Sequence, residues 1–213
     1  KKAGRLLDTL DLDVVYEDEY LVVVNKPPGV LTVPGVNCNP SILDFVHQKY
    51  GTTVSDPATM IVHRLDMDTS GLVVFARSPQ VAKKLHAQFR DKETTKFYEC
   101  LVMGHIPLFG AKSVHDIQFH ADLPLQRDHE HPPFMRVSTP KSEQAAMAAV
   151  DALQQHGWKK LVCKRPKPSQ TAISIVEQGF CHGDSSLPFT RLRLKPITGR
   201  THQLRVHCAA LGY

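Results

Sequence analysis

Apolar residues in this chain come in short runs, and each run is cut off by turn residues. Val14–Tyr16 and Leu21–Val24 flank a polar Glu17-Asp18-Glu19 turn; Leu72–Ala76 starts directly after Thr69-Ser70-Gly71. Runs of this length with such flanks read as strands. Lys96–Met103, Ser169–Val176 and Phe189–Leu194 read the same way, and Met60–Val62 reads as a shorter one. Helical periodicity enters only singly. Asn39-Pro40 can open a helix over Ser41–Tyr50, closed by Gly51. Ser78-Pro79 opens a second one to about Asp91, whose Val81, Leu85 and Phe89 repeat every four positions on one face. Thr139-Pro140 starts a third through Gln155, and Thr201–Leu211 reads as a last helix with Thr198 or Thr201 as its cap. Residues 104–140, rich in Pro and His, read as loops. Strands that outnumber singly inserted helices predict a mixed α+β fold with a largely antiparallel sheet and flanking helices, not regular βαβ winding.

With 213 residues the chain is long enough to bury a real core, and it is expected to form a single catalytic domain over 1–213. No apolar run nears the roughly 18 residues of a membrane span, and the first residues do not form a secretory signal. Five cysteines with no C-x-x-C pair suggest small buried hydrophobes in a reducing, intracellular compartment, cytoplasmic by default. The net charge of +5 is uneven. Residues 1–80 hold 7 basic and 10 acidic residues, whereas residues 141–205 hold 11 and 4. A basic C-terminal third suits a polyanion, most simply nucleic acid, although a solvated basic face would look the same.

The segment most suited to chemistry is His63-Arg64-Leu65-Asp66-Met67-Asp68-Thr69-Ser70-Gly71-Leu72. Arg64 and Asp66, at i and i+2, leave an extended chain on the same face. Polar groups thrown from a strand end into a loop are a common site arrangement. In Lys195–His207, Gly199 allows a turn, and Arg200, His202 and Arg205 crowd the start of the last helix, where an anion is favoured. Tyr98 lies on a strand, where an aromatic ring belongs to the core unless its face borders a basic cleft. The histidines, His129 and His131 included, have no carboxylate or cysteine partner at a metal-ligand spacing, so no metal is expected.

These segments in this order resemble the RluA family of RNA pseudouridine synthases. The likeness is carried by VVNKPPGVLTVPG (23–35), HRLDMDTSGL (63–72), KFYECLVMG (96–104) and KPITGRTHQLRVH (195–207), and it extends nearly end to end. It implies the fold of that family's catalytic domain and isomerisation of uridine to pseudouridine in rRNA or tRNA. By the same resemblance, Asp66 matches the catalytic aspartate, Tyr98 the tyrosine that stacks on the base, and Arg205 the basic residue that pairs with the aspartate. Arg64 matches the arginine that enters the RNA when the target nucleotide flips out. Arg200, His202, Lys159 and Lys160 are further RNA-binding candidates, no cofactor is implied, and the expected form is a monomer.

Residues 141–163 look like a helical insertion, and the C-terminus reads as trimmed. There is no room for the separate N-terminal RNA-binding domain that many relatives carry. Two other readings stand beside this one: an inactive RNA-binding protein or chaperone of the same fold, and a metal-dependent nuclease. The first would lack turnover; the second needs a ligand cluster the sequence does not supply.

Overall fold

The structure is a computed structural model that describes residues 12–35, 39–51, 54–107, 109–128, 130–131, 134–153, 165–181 and 184–213. The chain divides into two compact units, Lys1–Thr94 and Thr95–Tyr213.

In the first unit, β1 (Val14–Glu17), β2 (Leu21–Lys26) and β3 (Gly71–Ala76) form an antiparallel sheet in that order. Asp18 makes the β1–β2 turn, its Oδ1 accepting the N–H groups of Tyr20 and Leu21 at 2.8 Å each. The central strand buries every second side chain, Val22, Val24 and Lys26. The first two are apolar, as a half-buried strand requires, and the third is treated with the site below. Helix α1 (Ile42–Tyr50) covers this face with Ile42, Leu43 and Val46. Its N-cap is Ser41, not Asn39, because the Asp44 carboxylate accepts both the N–H and the hydroxyl of Ser41 at 2.7 and 2.9 Å. Helix α2 (Pro79–Arg90) opens as expected at Ser78-Pro79, and its Val81, Leu85 and Phe89 pack against Val62, Ala76 and Ala82. Met60–Val62 is not a strand. Asp56 caps a 3-10 turn over Pro57–Met60, leaving one bridge, Ile61 to Phe75, to carry the chain toward His63.

The second unit is built on a four-stranded antiparallel sheet in the order β4-β9-β8-β5. The strands are β4 (Tyr98–Met103), β5 (Gln118–Asp122), β8 (Gln170–Cys181) and β9 (Asp184–Pro196). β6 (Leu125–Arg127) and β7 (Met135–Val137) form a separate ribbon, so residues 104–140 contain three strands where loops were expected. One face of the larger sheet buries Val102, Ala121, Ile173, Ile175, Leu192 and Leu194, with Cys208 of α4 (Gln203–Ala210) in the same cluster. On β4 this face takes Tyr98 and Cys100 while Phe97, Glu99 and Leu101 stay exposed, the alternation expected from the sequence. Helix α3 (Pro140–Leu153) begins where the sequence indicated. The fold is α+β with antiparallel sheets, as the pattern of short runs predicts.

Candidate active site

The loop that carries Asp66 is fixed at every second or third residue. His63 Nε2 accepts the N–H of Val74 at 3.0 Å, so a neutral His63 carries its proton on Nδ1. Its ring stacks on Phe89 of α2 with centroids 4.9 Å apart. Leu65 is buried, and its backbone is held from both sides by the Thr32 hydroxyl, which accepts Leu65 N–H at 3.1 Å and donates to Leu65 O at 2.8 Å. With Leu65 turned inward, Arg64 is exposed and Asp66 half-buried. Asp66 O then accepts Thr69 N–H at 3.2 Å, closing the turn into β3.

Beneath this loop lies Lys26, fully buried at the end of β2. Its ammonium donates three hydrogen bonds, to the carbonyls of Pro27, Val30 and Met67, each at 2.8 Å. All three ammonium protons are thereby satisfied, the condition for burying such a charge. Met67 O also accepts Gly29 N–H at 2.9 Å, where Gly29 takes a left-handed φ of 79°. Burial pushes the Lys26 pKa down from its ordinary value, and the charges of Asp68 and Asp66 pull it back up. Lys26 and Thr32 were not among the residues expected at the site, although both lie inside the 23–35 motif. The available signal was a lysine at an inward-facing position of an otherwise apolar strand.

In the second unit, Tyr98 begins β4 and is half-buried against the sheet core, opposite Leu194 in register. Lys96 precedes it, and its Nζ lies beside Gly199, 3.9 Å from where a Cβ there would sit. Burial pushes the Lys96 pKa down. Arg200 follows Gly199, and its Nε donates to Pro168 O at 3.1 Å. His202 adopts a left-handed conformation, φ 53° and ψ 20°, at the N-cap of α4. This is why the helix starts at Gln203 and neither Thr198 nor Thr201 caps it. Arg205 is exposed on the first turn and a half of α4. Arg64 and Asp66 thus belong to the first unit, and Tyr98, Arg200, His202 and Arg205 to the second. Lys159 and Lys160 lie outside the described residues, as do all side chains of 149–164.

Among the described residues one grouping has metal-ligand character. Asp128, Glu130 and His131 have ligand atoms within 4.8 Å of one another. Glu130 and His131 are exposed, and Asp128 Oδ1 accepts the backbone N–H groups of both, so the grouping is accounted for as a turn.

A family model described as RNA pseudouridylate synthase matches residues 20–210. The dual-specificity RNA pseudouridine synthase RluA of Pasteurella multocida is 35% identical over 204 residues, covering 95% of this chain and 73% of that protein. The protein of the same description from Vibrio vulnificus is 34% identical, covering 94% and 65%. The chain belongs to the RluA family of RNA pseudouridine synthases. Among solved structures, human RNA pseudouridylate synthase domain containing 1 superposes with a TM-score of 0.66 at 26% identity, covering 95% of this chain and 66% of that one. Human RNA pseudouridylate synthase domain containing 4, at 20% identity and a TM-score of 0.58, shares the fold. The synthase spans about two thirds to three quarters of the length of these relatives. No helix among its described residues is long and apolar enough to cross a membrane.

Proposed function

We propose that this synthase isomerises uridines in stem-loops of rRNA and tRNA, working as an intracellular, cytoplasmic monomer, with Asp66 as its catalytic carboxylate. The target base must leave the stack before any group reaches its glycosidic bond. Arg64, exposed beside Asp66, enters the space that the flipped nucleotide vacates. The N1–C1′ bond then breaks, the uracil turns, C5 bonds to C1′, and the C5 proton is released. Asp66 serves this sequence either as nucleophile or as proton acceptor. Tyr98 stacks on the detached base while it rotates, and Arg205 supplies the positive charge that pairs with Asp66. Arg200, His202, Lys159 and Lys160 bind the RNA backbone.

The observation that carries this reading is the seat of Asp66. Thr32 clamps Leu65 on one side and Lys26 fixes Met67 on the other, so the carboxylate sits between two pinned residues. A reacting group gains most from being held before the substrate arrives. The name "dual-specificity" carried by the bacterial relatives supports more than one RNA as substrate. The test is to map pseudouridines in rRNA and tRNA from cells with and without the protein, then repeat the modification with purified protein on the sites found. New pseudouridines in both RNA classes are expected. Tight RNA binding without product would favour the inactive RNA-binding reading instead.

A further inference from the structure

Under the turn that bears Arg200 and His202 lies a polar network that no part of the proposed reaction uses. Its hub is Gln203, the first residue of α4, only 3% exposed. Its Oε1 accepts the Thr198 hydroxyl at 2.8 Å and the Arg200 N–H at 3.0 Å. Its Nε2 donates to Gln170 O and to Thr171 Oγ1, both at 3.0 Å. All four hydrogen-bonding positions of the amide are filled. The direction continues inward. Thr171, having accepted from Gln203, shares its hydroxyl proton with His207 Nδ1 at 2.9 Å, and His207 Nε2–H donates to Leu123 O at 3.1 Å. Thr171 and His207 are both fully buried. One side chain therefore ties Thr198 and Arg200 of the 198–202 turn to β8 and, through Thr171 and His207, to the chain at Leu123.

The turn needs such a hold. His202 is left-handed, a strained conformation for a non-glycine residue that persists only where its surroundings over-determine it. The helix has no side-chain cap at His202, so the starting angle of α4 depends on Gln203. That angle sets where Arg205, two residues on, is presented. We propose that Gln203 is a positioning residue for the isomerisation, acting through Arg205. The proposal rests on the reading of Arg205 as the charge partner of Asp66.

The test compares Gln203→Leu and Gln203→Glu in single-turnover reactions on a modified RNA, with Arg205→Met as the partner in a double-mutant cycle. Displacing a reacting or charge-bearing group by about 1 Å can cost on the order of 10²-fold. Gln203→Leu is expected to lower the single-turnover rate by about 10- to 100-fold while RNA affinity changes by less than about 3-fold. The double variant should be no slower than Arg205→Met alone, since both changes remove one effect. Gln203→Glu keeps the acceptor for Thr198 and Arg200 and loses both donors. Lower pH returns one donor as the carboxyl gains a proton, so its rate should recover toward wild type as pH falls. Should Gln203→Leu fold poorly, Gln203→Glu carries the cycle. A wild-type rate in the folded fraction, or losses that simply add in the double variant, would overturn the proposal and leave Gln203 a purely structural group. If Arg205→Met alone keeps a full rate, the reading of Arg205 fails first, and that single-variant result shows it.

Discussion

Lys26 shows how one residue can hold a site without facing a substrate. Its three carbonyl partners belong to residues 27, 30 and 67, so a single ammonium joins the 23–35 motif to the loop of Asp66. Lys26→Met keeps the apolar stem and leaves those carbonyls without donors. Unsatisfied buried groups cost roughly 1–3 kcal/mol each, partly recovered by relaxation. The expected loss is about 2–5 kcal/mol in urea unfolding, with a fall in turnover larger than any fall in RNA affinity. An unchanged midpoint would mean that the loop is held elsewhere. His207 gives a pH signature at the same scale. Burial pushes its pKa below the ordinary 6.5, against smaller upward pulls from the Leu123 carbonyl and Asp122. The unfolded chain therefore takes up this proton first as pH falls. Stability from His207 should be complete above about pH 6.5, decline below it, and level off once pH passes the depressed folded value. His207→Gln should remove that component from a plot of unfolding free energy against pH; a His207→Gln curve parallel to wild type would contradict it. Lys26 left a signal in its inward-facing position on an apolar strand, although only one of its three partners, Met67, is distant in the chain. His207 left none, because its burial is decided by Thr171 and Leu123, 36 and 84 residues away.

Elements with a clear period were legible. The face Val81, Leu85, Phe89 of α2 and the alternation of β4 both stand as the sequence indicated, because side-chain period follows directly from backbone geometry. Elements defined by pairing were not. β6 and β7 are three residues each, too short for a periodic signal, and their pairing is Leu125 with Val137 through Arg127 with Met135. β5, Gln118–Asp122, alternates, but its exposed positions are Gln, His and Asp, which read as loop residues. Met60–Val62 went the other way. Three apolar residues suggested a strand, but the Asp56-Pro57 start directs the chain into a 3-10 turn. The site loop was legible as a motif, and its rigidity was not, since Thr32 lies 33 residues before Leu65.

Over the whole molecule, charge is unevenly placed. Residues 141–205 carry the positive excess, with Lys159 and Lys160 inside the 141–163 insertion and Lys164 and Lys167 just after it. Each phosphate contact contributes about −0.7 to −0.9 to the slope of log affinity against log salt. Replacing these four lysines by Ala should flatten that slope and weaken RNA binding, while the bound complex reacts at its normal rate. An unchanged slope would assign the insertion to another role. The chemistry is expected instead to hang on one carboxylate. Carbon–carbon bond formation at C5 releases the hydrogen that C5 carried, so RNA labelled with tritium at uridine C5 reports each turnover. The most direct measurement is this release by purified wild-type protein and Asp66→Asn, on an RNA that both bind. Asn keeps the shape and removes the charge. Equal folding and RNA affinity are expected, with release slowed by about 10³-fold or more, in line with the loss of an essential acid–base or nucleophilic group. Release by Asp66→Asn at a rate near wild type would contradict this role of Asp66.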